Sequence, residues 1–213
     1  MYAAVLALLC AASCYAGEGE RYRLNVVEDV WIERSTSNYN YHKYLITGKH
    51  PGYPIKRSLV KFQDVPSSCS VVNHAMMYLY YWYSHKASWQ STAQAPFITR
   101  TIQAHRVLKS WKESEATTIK RNRYNYWSRP YLGLDDTDAN DCPTGEVKIY
   151  ADRPIGFVEL DVTSAVRDWK AGKRNYGLLL WATNENVDGR DTRFASKTDT
   201  DPKKHPYIMV NCD

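Results

Sequence analysis

The chain lacks the sequence signatures of familiar catalytic sites. It contains no His-Glu-x-x-His, no Gly-x-Ser-x-Gly and no glycine-rich phosphate-binding loop, and its six histidines are scattered. These absences favour a protein that is not an enzyme. A polysaccharide lyase stays open as an alternative, because it needs only a tyrosine or histidine base and a neutralising cation, and the chain has both.

Cysteine is also scarce, with five residues in the whole chain. Cys10 and Cys14 lie in an apolar N-terminal run, which leaves Cys69, Cys142 and Cys212. Their spacings are far too long for a zinc knuckle. In an oxidising compartment, three cysteines predict one disulfide and one leftover thiol.

Long hydrophobic runs are absent beyond residue 16, and the run over residues 1–16 is too short to span a bilayer. It ends at the small residue Ala16, just before the charged Gly-Glu-Gly-Glu-Arg, as a secretory signal peptide does. We therefore expect a secreted protein without a membrane span. No proline- or glycine-rich linker divides residues 17–213, so these residues predict a single domain.

What the chain does contain is a series of short β patterns. Four apolar runs separated by Gly, Asn, Asp and Pro fill residues 156–210, which is typical of the closing half of an all-β sandwich. Within them, Val162, Val166 and Trp169 are spaced as one face of a helix, and this predicts a short helix near 162–170. The longest β pattern, Ser70–Tyr83, alternates strictly between two faces.

The ordered set of these segments resembles the DNRLRE-domain family, which is similar to a group of carbohydrate-binding modules. The segments that carry the resemblance are Asp29–Glu33, Ser58–Asp64, Asn73–Leu79, Trp111–Glu113, Asp161–Trp169, Phe194–Lys197 and Pro206–Val210. The resemblance implies a jelly-roll β-sandwich and the binding of polysaccharide. The chain is also similar to secreted invertebrate members, including cnidarian skeletal organic matrix proteins.

The jelly roll that the resemblance implies also suggests a disulfide. In such a fold the strand that follows Cys69 and the strand that ends near Cys212 are antiparallel neighbours. We therefore predict a Cys69–Cys212 disulfide, with Cys142 left over.

Two groups of residues are candidates for binding an acidic ligand. If Ala75, Met77 and Leu79 face the core, as the family pattern implies, an aromatic stripe faces outward; it consists of Tyr78, Tyr80 and Trp82. The second group is a set of basic residues near the first predicted loop, the polar, Tyr- and Asn-rich segment Ser35–His42. Lys and Arg there would pair with carboxylate or sulfate groups; the group consists of Lys43, Lys49, Lys56 and Arg57.

The net charge of +5 fits such a ligand, because a basic surface outside the cell favours acidic partners. A further basic and aromatic patch lies at residues 121–129, with three arginines, two tyrosines and Trp127. Single-stranded nucleic acid would suit that patch as well, but secretion of the chain argues against nucleic acid as a partner.

An acidic loop offers a candidate metal site. Asp135, Asp136 and Asp138 provide hard oxygen ligands at close spacing, which suits calcium. The EF-hand register is absent, since no glycine stands at its sixth position and no glutamate at its twelfth.

Together these features predict a secreted, non-enzymatic protein of the extracellular matrix that binds acidic polysaccharide. The alternatives are a structural matrix protein, associated with a biomineral and without a discrete ligand site, and the polysaccharide lyase.

Overall fold

The computed structural model describes residues 19–34, 36–50, 52–84, 99–150, 153–186 and 191–213. Over these residues the chain forms ten β-strands and one α-helix. The elements in chain order are β1 (Glu20–Glu33), β2 (Tyr44–Lys49), β3 (Ile55–Phe62), β4 (Val72–Ser84), β5 (Arg100–Arg106), β6 (Gly145–Ile149), β7 (Gly156–Asp161), α1 (Thr163–Lys170), β8 (Leu178–Ala182), β9 (Thr192–Ala195) and β10 (Tyr207–Cys212). The predicted signal peptide at residues 1–16 lies outside the described residues.

Six strands pair into a closed ring in the order β1, β10, β4, β9, β2 and β3, after which β3 returns to β1. The ring closes because β1 and β2 each serve two sheets. The first half of β1 pairs with β10 and its second half with β3, with a bulge between Val26 and Glu28. In β2 the change of partner from β9 to β3 falls at Gly48, whose φ of 102° favours glycine.

Four further strands extend the ring into two packed sheets. Strand β7 adds to β4, and β8, β5 and β6 continue outward from β3. We call β7, β4, β10 and β9, with the first halves of β1 and β2, the front sheet. The back sheet consists of β3, β8, β5 and β6 with the second halves of β1 and β2. The predicted all-β class is confirmed.

The main core lies between the two sheets. Met77, Leu79 and Ile208 enter it from the front sheet, while Val60 and Leu180 enter it from the back sheet. Because neighbouring residues of a strand point to opposite faces, the residues between these side chains face outward. The two outward faces differ, and the difference positions the candidate site.

The outward face of the back sheet is covered. Val30, Leu59 and Leu179 point away from the main core into a second core, where Trp111 and Trp127 from the irregular segment 107–139 pack on them. This segment therefore acts as a third layer over the back sheet.

The short helix predicted near 162–170 is present as α1. Asp161 Oδ1 accepts a hydrogen bond from the backbone amide of Thr163 at 2.8 Å, which satisfies one free amide of the first turn. The helix ends at Lys170. Ala171 caps it, and Gly172 follows with a φ of 94° and donates its amide to the carbonyl of Trp169.

The predicted disulfide is confirmed. Cys69 and Cys212 are bonded, with their Cα atoms 5.3 Å apart, and β4 and β10 are antiparallel neighbours in the front sheet. Cys142 is a free cysteine at the surface.

Strand β2 is the main departure from the expected elements. The sequence patterns predict no strand over residues 44–49, yet these residues pair with β9 and β3 and bury Leu45 and Ile46. The basic residues predicted near the first loop consequently lie on or beside the two strands β2 and β3.

Candidate functional site

The outward face of the front sheet bears a row of aromatic side chains from three strands. On β4 the buried residues Ala75, Met77 and Leu79 alternate with outward residues that are partly buried, including Tyr78, Tyr80 and Trp82. Two further rings join them from the neighbouring strands. We call the resulting set the aromatic face; it consists of Tyr78, Tyr80, Trp82, Phe157 and Tyr207.

Strand register brings these five rings into contact. Tyr207 of β10 lies opposite Tyr78, and their rings stack with centroids 4.7 Å apart and planes 8° from parallel. Phe157 of β7 lies opposite Tyr80, with centroids 5.3 Å apart in an edge-to-face arrangement. Tyr80 in turn meets Trp82 at 5.4 Å. Each ring is supported by its neighbours, and Phe157 still exposes 36% of its surface.

Cationic side chains lie over both ends of the aromatic face. The guanidinium carbon of Arg23 is 3.7 Å from the centroid of Tyr207. At the other end, the Lys204 ammonium is 4.5 Å from the centroid of Trp82 and 5.4 Å from that of Tyr80. Such contacts hold a positive charge against the electron-rich face of a ring.

Lys204 reaches Trp82 because a 3-10 turn at Pro202–Lys204 is fixed in place. Asp201 accepts a hydrogen bond from the amide of Lys203 at 3.1 Å and pairs with the Lys204 ammonium at 3.3 Å. The turn comes immediately before β10, so the same strand supplies Tyr207 and orients Lys204.

A groove beside Tyr78 continues the front sheet toward the start of β4. Its charges are mixed: Arg21 and His74 face Glu159 and Asp161, and His74 Nε2 lies 3.9 Å from Asp161 Oδ2. The mixed charges of this groove do not favour an anionic ligand, whereas the aromatic face has the Arg23 guanidinium over one end.

The surroundings of Tyr78 change the acidity of its hydroxyl. Burial of its hydroxyl, followed by the nearby carboxylate of Glu159, raises the pKa of Tyr78 above its usual value. A tyrosine that holds its proton in this way can donate a hydrogen bond, but it is poorly suited to act as a general base.

The basic residues predicted near the first loop do not form one surface. Lys56 is buried and pairs with Asp191 at 3.4 Å. Arg57 binds both carboxylate oxygens of Glu185 and donates to the carbonyls of residues 131 and 132. Both cations therefore neutralise internal charge or fix a loop.

The other two predicted basic residues lie on β2 or next to it. Lys49 is half-buried at the end of the strand. Lys43 is exposed, and its ammonium lies 5.1 Å from the ring centroid of Tyr44. Tyr44 in turn contacts Trp82 edge to face, which places Lys43 beside the aromatic face.

The three predicted calcium ligands take separate partners. Asp138 is buried and accepts hydrogen bonds from Ser128 and from the amide of Gly133. Asp135 pairs with Arg129 at 2.8 Å, and Asp136 accepts from the side chain of Asn140. Across the described parts of the chain, no three His, Cys, Asp or Glu side chains are grouped as metal ligands. Asp138 instead organises the loop.

Sequence reasoning missed Phe157, Tyr207, Lys204 and Arg23. A local signal existed for the two rings, because both alternate with buried residues of short strands, Val158 and Ile208. No local signal existed for the two cations, whose positions depend on how β1, β4 and β10 pair.

No protein-family model matches the chain, and no curated protein matches it. Helix α1, the one α-helix of the described residues, has eight residues, and no helix there is long and apolar enough to cross a membrane.

Proposed function

We propose that the chain is a secreted, non-enzymatic protein of the extracellular matrix that binds acidic polysaccharide on the aromatic face. The observation that carries the proposal is the row of mutually supported rings on an outward sheet face, with Arg23 and Lys204 at its ends. Its placement in the extracellular matrix rests on the predicted signal peptide and on the resemblance.

The aromatic face suits a sugar polymer for two reasons. Rings pack against the C–H surfaces of sugar units, and cations pair with carboxylate or sulfate groups on the same units. The rings are also held by one another and by the sheet, so binding costs little side-chain entropy. A linear polyanion can therefore lie along the row from Arg23 to Lys204.

The resemblance to the DNRLRE-domain family supports the same proposal at the level of fold. Two packed sheets with a core between them are the coarse architecture of a jelly roll, and we propose the jelly-roll connectivity on that resemblance.

The test is the binding of the mature protein to alginate, heparin and a neutral glucan at about 50 and about 200 mM salt. We expect binding to the two acidic polymers and not to the glucan. Binding should weaken at the higher salt, since screening reduces the attraction between exposed charges. The Trp82→Ala/Lys204→Ala variant should bind the acidic polymers at least about tenfold more weakly, which corresponds to about 1.4 kcal/mol.

Lys148→Ala/Tyr150→Ala is the matched control, because it also removes one cation and one aromatic ring from exposed positions, on and just after β6. This control should bind like the unaltered protein, and urea unfolding of all three proteins should show that each is folded. Equal affinity of the Trp82 variant and the control would refute the aromatic face as the site. Failure to bind any polymer would leave the structural matrix alternative in its place.

A further inference from the structure

The segment that covers the back sheet carries an exposed hairpin at residues 119–126. The amide of Arg121 donates to the carbonyl of Asn125 at 3.0 Å, which closes the turn. Inside the turn, the side-chain oxygen of Asn122 accepts from the amide of Asn125 at 3.0 Å. The hairpin therefore has a fixed shape.

Trp127 anchors the hairpin to the body of the protein. Its side chain is buried in the second core, and its indole nitrogen donates to the carbonyl of Thr117 at 3.0 Å. Its backbone amide donates to the carbonyl of Ile119 at 2.9 Å. The base of the hairpin is thus part of the packed layer over the back sheet, while its tip faces solvent.

The tip exposes two tyrosines, each beside a cation. Tyr124 is 80% exposed and Tyr126 is 62% exposed. The Arg123 guanidinium carbon lies 5.6 Å from the centroid of Tyr124, and the Lys120 ammonium lies 5.5 Å from that of Tyr126. The pairing of cation and ring matches that of the aromatic face, on a different part of the chain.

The hairpin carries more positive than negative charge. One carboxylate reaches it: Glu115, which is paired with Lys112, also accepts a hydrogen bond from the backbone amide of Arg123 at 2.7 Å. Lys120, Arg121 and Arg123 lie within four residues, and none of the three forms a salt bridge with another described residue. In contrast, the nearby Lys112 and Arg129 pair with acidic residues at 2.7 and 2.8 Å. The hairpin therefore presents a concentrated positive charge to solvent.

We infer that the 119–126 hairpin is a second binding surface for anionic polysaccharide, on the opposite side of the molecule from the aromatic face. The aromatic face lies outside the front sheet, whereas the hairpin belongs to the layer outside the back sheet. With both surfaces occupied, one molecule joins two polymer chains. The joining of chains rests on the proposed function, but the hairpin surface stands on its own contacts.

Heparin of two lengths tests the inference. The Cys142→Ala background is used throughout, so that no disulfide between molecules can join polymer chains. A short heparin oligosaccharide gives the number of sites by calorimetry, and long-chain heparin reports cross-linking by light scattering. We expect two sites and strong scattering for the background protein, and one site with scattering reduced at least about fivefold for Arg123→Ala/Tyr124→Ala.

The variants separate the two surfaces. Trp82→Ala/Lys204→Ala should also keep one site and lose cross-linking, whereas Lys148→Ala/Tyr150→Ala should keep both. Two sites and full scattering in the Arg123 variant would overturn the hairpin surface, whatever the aromatic face does. One site in the background protein that is lost in the Arg123 variant and retained in the Trp82 variant would uphold the hairpin and defeat the proposed function.

Discussion

Asp29 is a buried carboxylate in β1, with 1% of its surface exposed. The hydroxyl of Ser196 and the amide of Lys197 each donate to it at 2.7 Å. Burial outweighs these hydrogen bonds and raises the pKa of Asp29 from 3.8 to about 6. At neutral pH the Asp29 carboxylate is ionised and buried, and its ionisation is less favourable in the folded protein than in the unfolded chain.

This shift predicts a pH dependence of stability at the residue scale. Between pH 3.8 and about 6 the folded carboxyl retains its proton while the unfolded one loses it, so the contribution of Asp29 to stability falls as pH rises. A shift of this size is worth about 3 kcal/mol. Asp29→Asn removes the titration. Part of the effect is already lost at pH 4, so the unfolding free energy of the unaltered protein minus that of the variant should fall by about 2 kcal/mol from pH 4 to pH 7.

Urea unfolding at the two pH values measures that difference. Glu146→Gln, which removes an exposed carboxylate, is the control for the loss of one charge. A difference between the unaltered protein and Asp29→Asn that stays constant from pH 4 to pH 7 would contradict the assignment.

At the scale of elements, Gly177, just before β8, allows the backbone to pass close to β3. It has a φ of 79°, and a Cβ atom there would lie 2.2 Å from the carbonyl oxygen of Val60. Gly172 has a similar φ of 94°, but a Cβ atom there meets nothing within 4 Å. Substitution of Gly172 therefore tests backbone strain alone, whereas substitution of Gly177 tests strain together with a steric clash.

We expect Gly172→Ala to lower the unfolding free energy by about 1–2 kcal/mol, the cost of a left-handed conformation for alanine. Gly177→Ala should lower it by about 2–5 kcal/mol, because a backbone clash adds to the same strain. Denaturant unfolding of both variants gives the comparison. Equal losses would mean that β8 can shift away from β3 without cost.

How far the sequence predicts the elements depends on whether their signal is local. The helical spacing of Val162, Val166 and Trp169 and the alternation along β4 are local, and they predict α1 and the two faces of β4. The sequence predicts no strand over residues 44–49, whose neighbours are rich in Tyr, Asn and Lys, because the partner strand β9 lies far away in the chain.

In the candidate site, too, only the features with a local sequence pattern could be predicted. The outward positions of Tyr78, Tyr80 and Trp82 follow from one strand, but Lys204 lies more than a hundred residues away from them in the chain. The irregular segment over the back sheet has no periodicity that would reveal Trp127 as a core residue. The position of Lys204 and the burial of Trp127 depend on contacts between residues far apart in the chain, and a single sequence carries little information about such contacts.

At the scale of the whole molecule, the Cys69–Cys212 disulfide closes a loop with a sequence separation of 143 residues. Removing it with Cys69→Ala/Cys212→Ala should lower the unfolding free energy by about 2–5 kcal/mol, since the unfolded chain then gains freedom. The pairing of β4 with β10 remains, so the fold should survive. Denaturant unfolding checks the loss, with Cys142→Ala as the control that leaves the disulfide intact; an unchanged midpoint in the double variant would contradict the prediction.

The pairing of β1 with β10 brings the two ends of the described chain to one place. Glu20 lies opposite Cys212, and Gly19 packs against the carbonyl of Cys212. Linking residues 213 and 19 and opening the chain at the exposed Gly172 would interrupt no strand pair. A chain permuted in this way should keep every strand pair, and it would present the aromatic face and the hairpin on the same two sides of the molecule.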